Sequence, residues 1–174
     1  MKRLLILVLL VVSCTTTAQT KIDNSKGVTF EIKNFGLTVE GSISGLKGEI
    51  NFDPQNVSTA LFDVSLEVST VDTGISLRDN HLKKEEYLDA KNYPKMKFVS
   101  KSVVKDDKSN TWILTGRLTI KKTTKEISFP FLVSKQNAHD NFKGEFRINR
   151  RDFGVGGKSF SMADEVRVIL NIKN

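Results

Sequence analysis

The sequence predicts an all-β fold of antiparallel strands. Three observations carry this prediction. Apolar and polar residues alternate in run after run, the pattern of strands buried on one face. The runs are separated by stretches of Asn, Asp, Gly and Ser, residues that favour turns. Those links are short, and short links join antiparallel neighbours. With 174 residues, 39% hydrophobic and 27% charged, the composition is that of one folded domain, which at this size hides about 70% of its unfolded surface.

The first run places Val28, Phe30 and Ile32 on one face and Thr29, Glu31 and Lys33 on the other. Asn34, Phe35 and Gly36 make a turn into Leu37, Val39, Gly41 and Ile43. Ser44 and Gly45 lead to Leu46, Gly48, Ile50 and Phe52. The turn Asp53-Pro54-Gln55-Asn56 precedes Phe62, Val64, Leu66 and Val68. Residues 72–94 lose the alternation, and the helix formers of 76–90, with Leu77, Leu82 and Leu88, predict one or two short helices. Met96 and Phe98 open the next strand. Trp112, Leu114, Gly116, Leu118 and Ile120 face inward on another, followed by Ile127, Phe129, Phe131 and Val133, then Phe142, Gly144, Phe146 and Ile148. An irregular glycine-bearing stretch over 152–165 precedes Val166, Val168, Leu170 and Ile172. That makes about nine strands, whose edges are hidden either by closure into a barrel or by a two-sheet sandwich.

The inward positions are rich in Phe, of which the chain has 11 against 2 Tyr and 1 Trp. Phe demands no hydrogen-bond partner and suits an apolar interior. The inward glycines 41, 48, 116 and 144 either leave room for a chain-like ligand or permit the bends of a small barrel. An eight-stranded barrel is filled by its own side chains or holds one small ligand, and periodicity alone leaves both readings open.

Little in the sequence points to catalysis. A single cysteine excludes an internal disulfide framework. Two histidines, His81 and His139, leave little room for a multi-histidine metal site. No metal or cofactor is expected. Gly154 to Ser159 only superficially resembles a phosphate loop, lacking the four-residue gap before Gly157-Lys158-Ser159. Asp89 and Glu85-Glu86 read as a solvated helix face. The net charge of +7 is spread along the chain, with no basic block like a nucleic-acid arm.

The N-terminus reads as an export signal: Lys2 and Arg3, then nine apolar residues from Leu4 to Val12, then small and polar residues. The run is too short to span a bilayer. Cleavage after Ala18 fits the small-x-small rule, giving a signal over 1–18 and a barrel domain over 19–174. Val11-Val12-Ser13-Cys14 fits a bacterial lipobox, giving a signal over 1–13 and a lipidated Cys14. Membrane association is expected only in the second case. Removing Lys2 and Arg3 lowers the charge from +7 to +5. The destination is the periplasm or cell envelope.

Four ordered segments resemble the YceI-like family of secreted bacterial proteins. They are Val28 to Gly36; Thr73-Gly74 through Arg78-Asp79-Asn80-His81-Leu82 to Tyr93-Pro94-Lys95-Met96-Lys97-Phe98; Leu114 to Ile120 with Thr124 to Ile127; and Ile148-Asn149-Arg150-Arg151-Asp152-Phe153-Gly154-Val155 with Asp164-Glu165-Val166. The resemblance implies a lipocalin-like barrel that holds isoprenoid lipids such as polyprenyl phosphates or quinones, and a homodimer. Asn34 stands where family members often have histidine. On this reading the ligand's chain meets Phe30, Ile32, Val39, Phe98, Leu114, Leu118, Phe129, Phe131 and Phe146. Arg78, His81, Arg150 and Arg151 are candidates for its head group, arginine being suited to bidentate phosphate contacts. The competing role for Arg78-Asp79 and for Arg150 and Arg151 with Asp152 is to fasten the helix and the irregular segment to the barrel. The alternatives to a lipid carrier are an envelope interaction module with a side-chain-filled barrel, and an enzyme acting on a lipid head through Asp79 and His81.

Overall fold

A computed structural model describes residues 27–136 and 139–173. The export signal and Cys14 lie outside the described residues. Nine strands follow in order: β1 (Val28–Asn34), β2 (Leu37–Ile43), β3 (Lys47–Asn51), β4 (Leu61–Glu67), β5 (Lys95–Lys105), β6 (Trp112–Ile120), β7 (Thr123–Gln136), β8 (His139–Asn149) and β9 (Met162–Lys173). They form one sheet in the order β2-β1-β9-β8-β7-β6-β5-β4-β3, with every neighbour antiparallel.

The sheet closes because its two ends belong to one stretch of chain. β2 and β3 are joined by residues 44–46 alone. Gly45 there has φ +72, a left-handed conformation that bends the chain at little steric cost to glycine. β2 pairs with β1, and β3 pairs with β4. Around the bend, Ser42 and Asp72 exchange both backbone hydrogen bonds, at 2.8 and 3.0 Å. The Ser44 N–H donates to Thr70 Oγ1 at 2.9 Å, and the Glu67 N–H donates to the Ser44 carbonyl at 3.3 Å. The result is a lipocalin-like barrel.

One end of the barrel is packed solid. Phe52 meets Trp112 edge-on at 5.2 Å and Phe131 at 5.3 Å, and Phe62 lies 5.7 Å from both Phe131 and Phe142. Such edge-to-face pairs each contribute roughly 0.5–1.5 kcal/mol beyond the area they bury. The other end is covered by the segment between β4 and β5. Its single helix, α1 (Ser76–Leu82), is followed by turns that bury Leu88 against Ile43, Val68 and Val71. One short helix meets the expectation of one or two over 76–90. Hydrogen bonds link residues 84–93 as turns, among them the Asn92 and Tyr93 N–H groups to the Asp89 carbonyl.

Three expectations are corrected. Leu37, assigned inward by alternation, is exposed, because β2 begins beside the β1–β2 turn and its first residue stands at the rim. Asp89 is buried rather than solvated, with its carboxylate accepting from the Asn92 amide at 2.9 and 3.1 Å. The inward glycines do not simply leave space. A Cβ at residue 41 would lie 2.8 Å from Phe30 Cε1, and one at residue 116 would lie 2.7 Å from Phe98 Cε2 and 2.6 Å from the Val99 carbonyl oxygen. The Phe rings lie down on these glycines, so the missing side chain makes room for a neighbour's ring.

Candidate ligand cavity

Because Phe30 and Phe98 lie against the wall, the barrel axis beside them is left open. A cavity of about 260 Å³ runs inside, lined by all nine apolar side chains singled out from the sequence. It exceeds the roughly 150 Å³ of an engineered apolar cavity that admits benzene. Phe62, Phe131 and Phe142 form its floor and separate it from Phe52 and Trp112. Phe129 stacks on Phe146 at 4.7 Å and tilts against Phe98 at 5.9 Å, giving one side a continuous aromatic wall. The opposite side is aliphatic, with Ile32, Val39, Val166 and Val168 among its residues. The lining is almost wholly apolar.

Three polar residues of the wall, Asn34, Thr73 and Arg78, lie towards the end opposite the floor. Asn34 closes β1 there, and its side-chain oxygen is buried without a hydrogen-bond partner. Thr73 and Arg78 approach from the start of the α1 segment. The Thr73 hydroxyl donates to Asp79 Oδ1 at 2.5 Å and accepts from Arg78 Nε at 2.7 Å, while Arg78 Nη2 donates to the Thr73 carbonyl at 2.7 Å. The Thr73 N–H adds a 2.9 Å bond to the same carboxylate oxygen. Asp79 is thus a buried anchor that sets Thr73, and Thr73 sets Arg78. Arg78 lines the cavity, and its Nη1 has no acceptor among the described residues.

The other head-group candidates stand differently. Arg150 is buried, at 3% side-chain exposure, and every N–H of its guanidinium is used. Nε donates to the Ala163 carbonyl, Nη1 to the Val155 and Gly157 carbonyls, and Nη2 to Met162 and to Asp164 Oδ1. It touches the cavity wall but has no donor left for a ligand. Its position is that of a fastening for residues 155–164. Arg151 is exposed outside the lining and pairs with Asp164 Oδ2 at 3.2 Å. His81 is also exposed outside the lining, its ring 5.0 Å from that of Tyr87.

Asp79 and His81 are two residues apart on α1, and side chains at that spacing point in different directions. Among the described residues no three His, Cys, Asp or Glu side chains gather as a metal site. The glycine stretch 154–159 does not lead into a helix. Gly154 caps the turn Arg150–Phe153, and the Gly156 N–H donates to the Glu86 carbonyl. Asn34 was visible in the sequence as a departure from the family pattern. Its unpartnered oxygen was not, because only the fold shows which side-chain atoms lack a partner.

An antiparallel barrel with an apolar chamber, floored by aromatic rings and edged by an amide and a guanidinium, defines a lipocalin-like fold with an internal cavity. A profile of the YceI-like domain matches residues 19–174, and the chain belongs to that family. A UPF0312 protein of Pectobacterium carotovorum is 28% identical over 153 residues, covering 84% of this chain and 79% of that protein. Protein YceI of Salmonella arizonae is 27% identical over the same shares. Among solved structures, BcnA of Burkholderia cenocepacia superposes with a TM-score of 0.82 at 26% identity, covering 88% of this chain and 99% of that one. A polyisoprenoid binding domain from Saccharophagus degradans shares the fold, with a TM-score of 0.66 at 12% identity over 87% and 95% of the two chains.

Proposed function

We propose that the protein is an exported binding protein that holds an isoprenoid-type lipid, a quinone or a polyprenyl phosphate, inside its barrel for carriage or sequestration. The observation that carries this reading is the apolar chamber closed at one end by Phe62, Phe131 and Phe142. A wall with so little polar surface offers nothing to a polar solute. An isoprenoid tail gains roughly 25 cal/mol for each Å² of apolar surface it removes from water. The head belongs at the other end, where Arg78 has free donors and Asn34 an unpartnered oxygen. A phosphate stays at the mouth beside Arg78, since an unpaired charge is costly deeper in the chamber. The family membership and the polyisoprenoid-binding fold neighbour support the same reading.

The test is mass spectrometry of organic extracts from the purified protein, compared with Val166→Phe/Val168→Phe. Both valines line the chamber on β9, and phenylalanine there takes up open volume. A stoichiometric isoprenoid that disappears in the folded double variant supports the proposal. No lipid in protein from its native source, with no uptake of added quinone or polyprenyl phosphate, overturns it in favour of an interaction module. A pH-dependent turnover of lipid head groups lost in His81→Ala would instead point to an enzyme. The mass of the mature N-terminus, Gln19 or acylated Cys14, decides how the protein is exported and whether it is anchored.

A further inference from the structure

Large apolar side chains are exposed on the segments that supply polar residues of the chamber wall. Phe35 is 75% exposed and Leu37 72%, both in or beside the β1–β2 turn that follows Asn34. Phe160 is fully exposed two residues before Met162, another residue of the chamber wall. These two segments touch: the Phe35 N–H donates to the Ser161 carbonyl at 2.8 Å, and Asn34 pairs with Met162. Ile75 and Leu77, 52% and 82% exposed, flank the start of α1, between the wall residues Thr73 and Arg78. Three separate segments thus each place one foot in the chamber wall and an apolar side chain in solvent. Isolated exposed apolar residues are ordinary, but a contiguous group of large ones marks an interaction surface.

Basic residues flank the two exposed phenylalanines. Lys33 and Lys158 each stand two residues from an exposed Phe, and neither pairs with a carboxylate among the described residues. Protruding Phe and Leu with flanking Lys fit the interface of an anionic bilayer, with the rings below the head groups and the ammonium groups among the phosphates. A second copy of this chain fits less well, since a two-fold contact would bring the lysines of both copies to the same apolar seam.

We infer that Phe35, Leu37, Phe160, Ile75 and Leu77 form a docking rim that seats the chamber's mouth on an anionic phospholipid bilayer. Seated there, the mouth opens onto acyl chains, so a lipid can pass without its tail crossing water. The inference rests on the rim's own side chains and is read out separately from the ligand content of the barrel.

The experiment is co-sedimentation with vesicles of phosphatidylglycerol and phosphatidylcholine, and with phosphatidylcholine alone. The exported protein carries Cys14→Ser, so that an acyl chain cannot supply the binding. Phe35→Ser/Phe160→Ser is compared with a control at two exposed apolar residues on strands away from the rim, Val104→Ser/Leu132→Ser. Expected is salt-sensitive binding to the anionic vesicles, weakened about tenfold per phenylalanine removed and retained in the control. Unchanged urea midpoints and lipid content in the rim variant show that its fold and chamber are intact. No binding at low salt, or equal loss in the control, overturns the inference. So does a wild-type dimer that the rim substitutions convert to monomer, which would assign the surface to a second copy.

Discussion

At the closed end of the barrel, Phe52, Phe62, Phe131 and Phe142 meet each other across the axis at 5.3–6.2 Å. At the chamber end, Phe30 and Phe98 turn aside onto glycines and leave about 260 Å³ free. The same residue type plugs one half and lines the other. Gly41 sits directly opposite Phe30 in the β1–β2 ladder, and Gly116 is diagonal to Phe98 across β5 and β6. A ring beside glycine can lie flat along the sheet. Glycine permits this without forcing it: Phe131 stands opposite Gly144 and still points to the axis, where Phe52 and Phe62 meet it. The chamber opens where Phe30 and Phe98 use their glycines to lie aside.

This contrast can be broken from either side. The largest effect is expected in the plug, where Phe62→Ala removes a buried ring from a close-packed cluster and costs about 4 kcal/mol of stability. Urea denaturation measures it. A loss below about 1 kcal/mol would mean the plug is not a packed core. Next comes Arg150→Met. It leaves Asp164 Oδ1 and several carbonyls without their Arg150 donor and is expected to cost about 3 kcal/mol, whereas a head-group role would predict ligand loss at unchanged stability.

Gly41→Ala sharpens the comparison most directly. Its Cβ collides with the Phe30 ring, which must then swing towards the axis. A stability loss of about 2 kcal/mol is expected, with a fall in quinone uptake to be followed by fluorescence quenching. Unchanged uptake would show that the ring's position does not set the chamber. Leu118→Ala, which only enlarges an existing void, is expected to cost less than about 2 kcal/mol, clearly less than the plug substitution by the same urea measurement.

The smallest effect lies outside the barrel. Arg167 on β9 pairs with Glu31 on β1 and Glu145 on β8, and its hydrogen bonds hold the Glu145 carboxyl below its ordinary range. A carboxyl lowered in the folded state contributes stability above its unfolded pKa and loses it as pH falls through the folded value. The difference in urea midpoint between wild type and Glu145→Gln should therefore be small at pH 7 and vanish in acid. A difference that persists at pH 2 would contradict this.

Most of the barrel is legible in the sequence because alternation is a local property. It assigns Phe30, Phe98, Leu118 and Phe146 to one face without knowing what they meet. It misleads at Leu37, where the strand begins at the rim and inward ceases to mean buried. The division between plug and chamber is not legible, since it depends on pairs such as Phe30 and Gly41 brought together only by register. Arg150 is ambiguous for the same reason. Its acceptors come from residues 155–164, an irregular stretch whose carbonyls no pattern could aim. Arg78, by contrast, is part-exposed and bonds through Nε and Nη2 to Thr73.

The bend at residues 44–46 also settles a question of parity. In a tube where every neighbour runs opposite to the last, the number of staves must be even, and nine would force two alike side by side. Here β2 and β3 run in the same direction because they are one stave, so the tube has eight and the alternation closes. The seam is held by the bonds between Ser42 and Asp72 and those at Ser44, where a full ladder would hold a regular stave. It is the line along which the tube can part, and parting would present two bare β-edges ready to pair with other chains.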